Sequence, residues 1–228
     1  MFPQGAVIGG KAKYAYVFEN KELYSHSLVS DLLKKGLMVR ISKKPFTYRN
    51  GSQVKEFGYG TAIVQLQNQP LDADQMYECI SESAKRNGVE VYALNTGLME
   101  DKDLGTSSNK SVALPKVALI TGSGMGVAES GEIWFMLDRR FGIPPALIDF
   151  NTLHKADLSK YNVIILAGGS PSDPISDKAY PMLKAWVNNG GTLILTGSSY
   201  SLASKIGVAS YKKLPSLTNG KDKPLYKP

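Results

Sequence analysis

The sequence predicts an α/β protein made of two halves, each a parallel sheet flanked by helices. Three observations lead there. Residues 116–150 (KVALITGSGMGVAESGEIWFMLDRRFGIPPALIDF) read as strand, glycine turn, helix and strand, the β-α-β unit of a doubly wound fold. The same order of apolar runs and helical stripes also occurs upstream, at nearly the same spacing. At 228 residues, with 43% hydrophobic and 21% charged side chains, the chain can bury a sizeable core.

In order, residues 1–12 are glycine-rich and read as a loose lead-in. Residues 14–18 are the first strand, 25–35 (SHSLVSDLLKK) an amphipathic helix closed by Gly36, and 37–41 a second strand. Residues 42–60 carry Pro45, Asn50, Gly51 and Gly58 and read as a long excursion. A third strand at 61–66, a helix at 74–86 and a fourth strand at 89–93 complete a first half, 1–97. Residues 98–115, polar and holding the run TSSNKS, read as a linker. The second half, 116–205, has strands at 117–120, 146–148, 162–167 and 192–196, with helices at 128–141 and 177–188. A basic tail, 206–228, follows. The repeated order supports two related flavodoxin-like halves.

Composition excludes several chemistries. Cys79 is the single cysteine, so no internal disulfide or multi-thiolate zinc site can form. His26 and His154 are the only histidines. The net charge of +7 owes much to Lys205, Lys212, Lys213, Lys221, Lys223 and Lys227, opposed in that stretch by Asp222 alone. A solvated tail explains this better than nucleic-acid binding, because no aromatic–basic interleaving accompanies it. No apolar run approaches the roughly 20 residues of a membrane span, and the amino terminus has no signal-peptide pattern.

The glycine turn Gly122-Ser123-Gly124-Met125-Gly126 ahead of a helix would expose backbone amides and the positive end of the helix dipole to an anion. Asp149, ending the next strand, stands where a ribose-binding acid would. The spacing is G-x-G-x-G, not G-x-G-x-x-G, and Glu129 and Glu132 fall in the first turns. A plain tight turn therefore fits better than a diphosphate site. A second strand-end turn, Gly168-Gly169-Ser170, joins it as a candidate ligand-binding element.

Ala167-Gly168-Gly169-Ser170 resembles the oxyanion turn of class I glutamine amidotransferases, and Leu195-Thr196-Gly197-Ser198-Ser199 occupies the position of their nucleophile elbow. The elbow carries serine where that family has cysteine, and no histidine follows to act as base. Cys79 lies on the other half, in the helical pattern MYECI. His154 and Asp157 form an H-x-x-D pair, but no later histidine completes a zinc site. No catalytic residue, metal ligand or cofactor is expected.

Four runs resemble the carboxy-terminal region of large bacterial zinc carboxypeptidase-like proteins of the carboxypeptidase A type. They are Lys44-Pro45-Phe46-Thr47; Phe57-Gly58-Tyr59-Gly60-Thr61 with Asn68-Gln69-Pro70; Tyr92-Ala93-Leu94-Asn95-Thr96-Gly97-Leu98; and Glu129-Ser130-Gly131-Glu132-Ile133-Trp134 with Leu137-Asp138. Lys184-Ala185-Trp186-Val187 ahead of Gly190-Gly191-Thr192-Leu193 agrees with them. The resemblance spans roughly residues 12–215. It implies an amidotransferase-like accessory region of an exported protein, with an upstream peptidase domain as partner. That domain's H-x-x-E, distant histidine and general-base glutamate map onto no position of this chain. Two function classes stand: a non-catalytic accessory region, or a small-ligand or anion-binding domain using its strand-end loops.

Overall fold

The computed structural model describes residues 4–21, 23–50, 53–100, 103–169 and 176–212. The protein is a mixed α/β molecule in which the strands of the two halves form separate sheets.

The first unit runs β1 (Ala6–Ile8), β2 (Ala15–Phe18), α1 (Ser25–Lys34), β3 (Val39–Ser42), β4 (Phe46–Asn50), β5 (Gln53–Phe57), β6 (Ala62–Gln65), α2 (Ala73–Asn87), β7 (Glu90–Leu94) and β8 (Asn109–Val112). Its main sheet has the order β1-β7-β2-β6-β3-β8. Strand β2 is antiparallel to both β6 and β7, and β3 is antiparallel to both β6 and β8. Only β1 and β7 pair parallel. The β2-α1-β3 and β6-α2-β7 crossovers therefore interleave, each leaving a gap that a strand of the other fills. This is the split β-α-β order of a ferredoxin-like layout.

The expected parallel sheet of the first half is thus corrected. A crossover that skips one strand has the same sequence pattern as one joining adjacent strands, so local periodicity cannot tell them apart. Three boundaries change with it. Residues 6–8 of the supposed lead-in pair with β7. The supposed linker 98–115 supplies β8, which lies beside β3 in the first sheet. The supposed excursion 42–60 is the β4–β5 hairpin.

Both faces of this sheet are covered, so alternate residues of β2 enter different cores. Tyr16 and Phe18 pack with Leu28 and Leu32 of α1 and Met76 and Ile80 of α2. Ala15 and Val17 pack with Phe46 and Phe57 of the hairpin and with Met99 and Leu104. Phe46 and Phe57 stack with centroids 5.0 Å apart, and Tyr92 meets Phe57 edge-on at 5.6 Å. Helix α2 is fixed at both ends. The Asp72 carboxylate and the Gln75 side chain form a reciprocal capping box, and Gly88 closes the helix in the left-handed region.

The second unit runs β9 (Val117–Thr121), α3 (Val127–Phe135), a π-helical turn Met136–Arg140, β10 (Ala146–Asp149), 3-10 helices Phe150–Lys155 and Leu158–Lys160, β11 (Val163–Ala167), α4 (Ser176–Asn188), β12 (Thr192–Thr196), a 3-10 turn Gly197–Ser201 and α5 (Leu202–Ile206). All pairings in its sheet are parallel, in the order β10-β9-β11-β12. Helix α3 and the π turn cover one face, with Ile133 and Leu137 against Leu119 and Ile165. Helices α4 and α5 and the first 3-10 helix cover the other, where Leu183, Ile206 and Phe150 meet Ile120 and Ile164. The Trp186 indole N–H donates to the Leu158 carbonyl at 3.0 Å, tying α4 to the loop before β11.

The units touch where α1 faces the end of the π turn. The Lys34 ammonium donates to the Gly142 carbonyl, and the His26 and Phe141 rings lie 5.6 Å apart. Among the described residues no helix is long and apolar enough to cross a membrane. Residues 213–228, most of the expected basic tail, lie outside the described residues, as does Ser170.

Candidate functional site

In a parallel sheet of this order the chain leaves β9 toward one face and β11 toward the other, opening a crevice at their carboxyl ends. The structure places both candidate glycine turns there. Gly122, Ser123, Gly124, Met125 and Gly126 follow β9, and Gly168 and Gly169 follow β11.

The two turns are packed against each other. The Gly126 N–H donates to the Ala167 carbonyl at 3.1 Å, and the Met125 N–H turns back to the Gly122 carbonyl at 3.1 Å. Met125 itself is buried in the core beneath α4. Gly169 sits at φ +74°, and a Cβ on it would lie 2.1 Å from the Gly124 carbonyl oxygen. Only glycine fits both the dihedral and the contact.

Two carboxylates close the crevice. Glu129, in the first turn of α3, folds back over both turns. A Cβ on Gly126 would lie 2.3 Å from its Oε2, and one on Gly168 would lie 3.1 Å from its Oε1. The Asp149 carboxylate lies against Gly122, where a Cβ would come within 2.5 Å of Oδ2. Asp149 also caps the following 3-10 helix, accepting the Asn151 N–H at 2.8 Å. The ribose-acid position is therefore a helix cap. Sequence reasoning noted Glu129 as a repulsive charge but missed that it reaches the turns. Its place three residues after Gly126 was the available signal.

The elbow after β12 joins the same cluster. The Gly168 N–H donates to the Thr196 carbonyl at 3.1 Å, and Gly197 stands against Gly168. The two elbow serines differ. Ser199 is fully buried, its Oγ 2.8 Å from the Leu166 carbonyl and 2.7 Å from the Thr196 carbonyl. Ser198 is exposed and reaches the Gly169 carbonyl at 3.4 Å. Among the described residues no histidine is hydrogen-bonded to either serine.

The other candidate chemistry is dispersed. His154 lies in the first 3-10 helix, and Asp157 accepts both the Ser159 N–H at 3.1 Å and its hydroxyl at 2.6 Å. These bonds hold the Asp157 carboxyl below its usual range, so it serves as a cap. Cys79 lies on α2 in the other unit, and burial pushes its thiol up despite Lys35 nearby. That is the opposite of what a nucleophilic thiolate needs. Among the described residues no group of three or more His, Cys, Asp or Glu side chains is placed to hold a metal ion.

Beside the crevice, between α3 and edge strand β10, lies a groove of about 390 Å³. Gly122, Met125 and Gly126 of the turn, Val127 and Trp134 of α3 and Leu147 of β10 line it. Its walls are mostly apolar, so the candidate residues border a surface suited to hydrocarbon more than to phosphate. No family model, curated protein or solved structure matches the chain.

Proposed function

We propose that this chain is a non-catalytic accessory region of a larger, exported zinc carboxypeptidase-like protein, serving its stability, substrate presentation or attachment. The second unit is read as a flavodoxin-like, amidotransferase-like frame, on its all-parallel sheet with the first strand inside and the second at the edge. The single observation that carries the non-catalytic reading is the filled crevice. The Glu129 carboxylate covers the turns where an amidotransferase would hold its oxyanion, and a fixed negative charge there opposes a developing one. Ser198 has the exposure of a nucleophile, but among the described residues no histidine is bonded to it to take its proton.

The experiment is an assay of the purified chain for ammonia release from glutamine, carboxypeptidase release of terminal residues, and metal content. No turnover and no stoichiometric zinc are expected. Turnover abolished by Ser198→Ala or His154→Ala would overturn the reading.

One observation favours the small-ligand alternative, namely that Gly122, Met125 and Gly126 line the groove beside α3. On that reading the ligand is apolar rather than anionic. Phosphate titration would then leave the amide shifts of residues 122–127 unmoved, whereas a neutral aromatic would shift them.

A further inference from the structure

We propose that the outer face of α3 is an interface through which two copies of this chain pair, helix against helix and antiparallel. This goes beyond the accessory role and stands or falls independently of it.

A helix lying on a sheet turns an apolar stripe inward and a polar face to water. Helix α3 and its π turn do the first, with Ile133 and Leu137 on the sheet and Ser130 buried. They do not do the second. Ala128, Gly131, Glu132, Phe135 and Arg139 follow at i, i+3, i+4, i+7 and i+11, so they share the outward stripe, and all five are exposed. Phe135 lies in its middle and stays 49% exposed although the Arg140 guanidinium lies over its ring at 5.9 Å. Val127 and Trp134, also exposed, continue the patch toward Leu147 on the edge strand β10. Contiguous exposed apolar patches mark contact surfaces, and protein interfaces concentrate aromatic side chains. Gly131 agrees with this. It lies inside α3, and a Cβ on it would meet nothing within 4 Å. Nothing in its own chain requires a glycine there, and glycine weakens a helix. A second backbone packed closely against the helix would require it.

The charges on the stripe name the occupant. Glu132 and Arg139 flank Phe135, one on each side along the helix. They stand about 10 Å apart along the axis, too far to pair with each other. Among the described residues neither has an ion-pair partner. In an antiparallel pair about a two-fold axis beside Phe135, Glu132 of each copy faces the partner's Arg139, and the contact repeats by symmetry. The stripe is therefore complementary to itself, with an apolar centre and an opposite-charge pair at either end. A parallel pair would set like charges against each other. Acid before base also suits the helix's own dipole, so the test separates pairing between copies from stabilisation within one.

Sedimentation equilibrium of the full chain is expected to show a reversible monomer–dimer equilibrium at micromolar concentration. Phe135→Glu, which places a charge in the middle of the interface, should leave only monomer. Glu132→Arg and Arg139→Glu each set like charges opposite one another in both symmetric contacts, and each should weaken the dimer about tenfold. The double variant Glu132→Arg/Arg139→Glu rebuilds both pairs with the signs exchanged and should recover to within about threefold of the parent. It also opposes the helix dipole at both ends, so a role confined to one helix would show no recovery. Gly131→Gln should raise the melting temperature by favouring the helix while weakening the dimer. Circular dichroism confirms the fold of each variant, and if Phe135→Glu does not fold, Gly131→Gln and the charge exchange carry the test. A chain monomeric up to millimolar concentration would overturn the proposal, as would a dimer indifferent to Phe135→Glu or a double variant no better than the singles. A monomer that instead binds naphthalene at residues 122–134 would assign the face to a ligand and overturn it too.

Discussion

Replacing Gly169 by alanine separates a packed crevice from a merely adjacent pair of turns. At φ +74° an alanine costs about 1 kcal/mol through its backbone alone. Its Cβ would also lie 2.1 Å from the Gly124 carbonyl oxygen and 2.6 Å from the Met125 Cα. Both neighbours are backbone, so the turns must part by about 1 Å. Overpacking of this kind adds roughly 1–3 kcal/mol. The expected loss is therefore about 2–4 kcal/mol. Gly190→Ala is the control, since Gly190 sits at φ +97° with nothing within 4 Å of the added carbon. It should cost only the backbone share, about 1 kcal/mol. The chain's two tryptophans, Trp134 and Trp186, both belong to the second unit, so indole fluorescence during urea unfolding reports that unit. With a slope of about 2 kcal/mol per molar urea, Gly169→Ala should lower the midpoint by about 1–2 M and Gly190→Ala by about 0.5 M. Equal shifts for the two variants would refute the packing of the two turns.

Three further outcomes follow from the same geometry. Ser199→Ala should destabilise the second unit by about 1–2 kcal/mol, because it removes a buried hydroxyl bonded to two carbonyls, whereas Ser198→Ala should stay within about 0.5 kcal/mol of the parent in urea titrations. Phe57→Ala should cost about 3–5 kcal/mol in the first unit by emptying the stack with Phe46 and Tyr92, measured by circular dichroism melting. Burial pushes the Glu19 carboxyl up, but bonds from Lys21 and the Gly58 N–H and the charges of Lys21 and Lys55 outweigh it and leave its pKa lowered. A lowered carboxylate stabilises the fold above its unfolded pKa and loses that share as pH falls through its folded value. The stability gap between parent and Glu19→Gln should therefore hold steady above about pH 5 and shrink below about pH 4.

The elements were legible because each is written locally. The helix at 25–35, the helix at 74–86 and every strand of the second half follow from periodicity, and Asp72 and Gly88 mark the ends of α2 as caps. The topology of the first unit was not legible. Whether β3 lies next to β2 or one place away depends on β6 entering between them, a contact made across the hairpin. One local sign was present: Asn50-Gly51-Ser52 between F-T-Y-R and Q-V-K-E-F is a short, glycine-bearing hairpin signal flanked by alternation. Strand β8 left no such sign. Three of its four residues, Asn109, Lys110 and Ser111, are polar, with Lys110 and Ser111 exposed, and it is held by β3 and by Arg40, whose guanidinium donates to the Thr106 and Asn109 carbonyls.

The candidate site was legible in place but not in chemistry, and the reason lies in how a parallel sheet is built. Each strand of such a sheet must turn sharply at its carboxyl end to start a crossover, and turns packed side by side favour residues without a Cβ. Glycines therefore gather at the switch point whether or not a ligand binds there. What separates a working site from this background is the set of groups left over after the turns have satisfied one another. Here the Met125 and Gly126 amides are bonded within the chain, Glu129 covers the junction, and Asp149 is a cap.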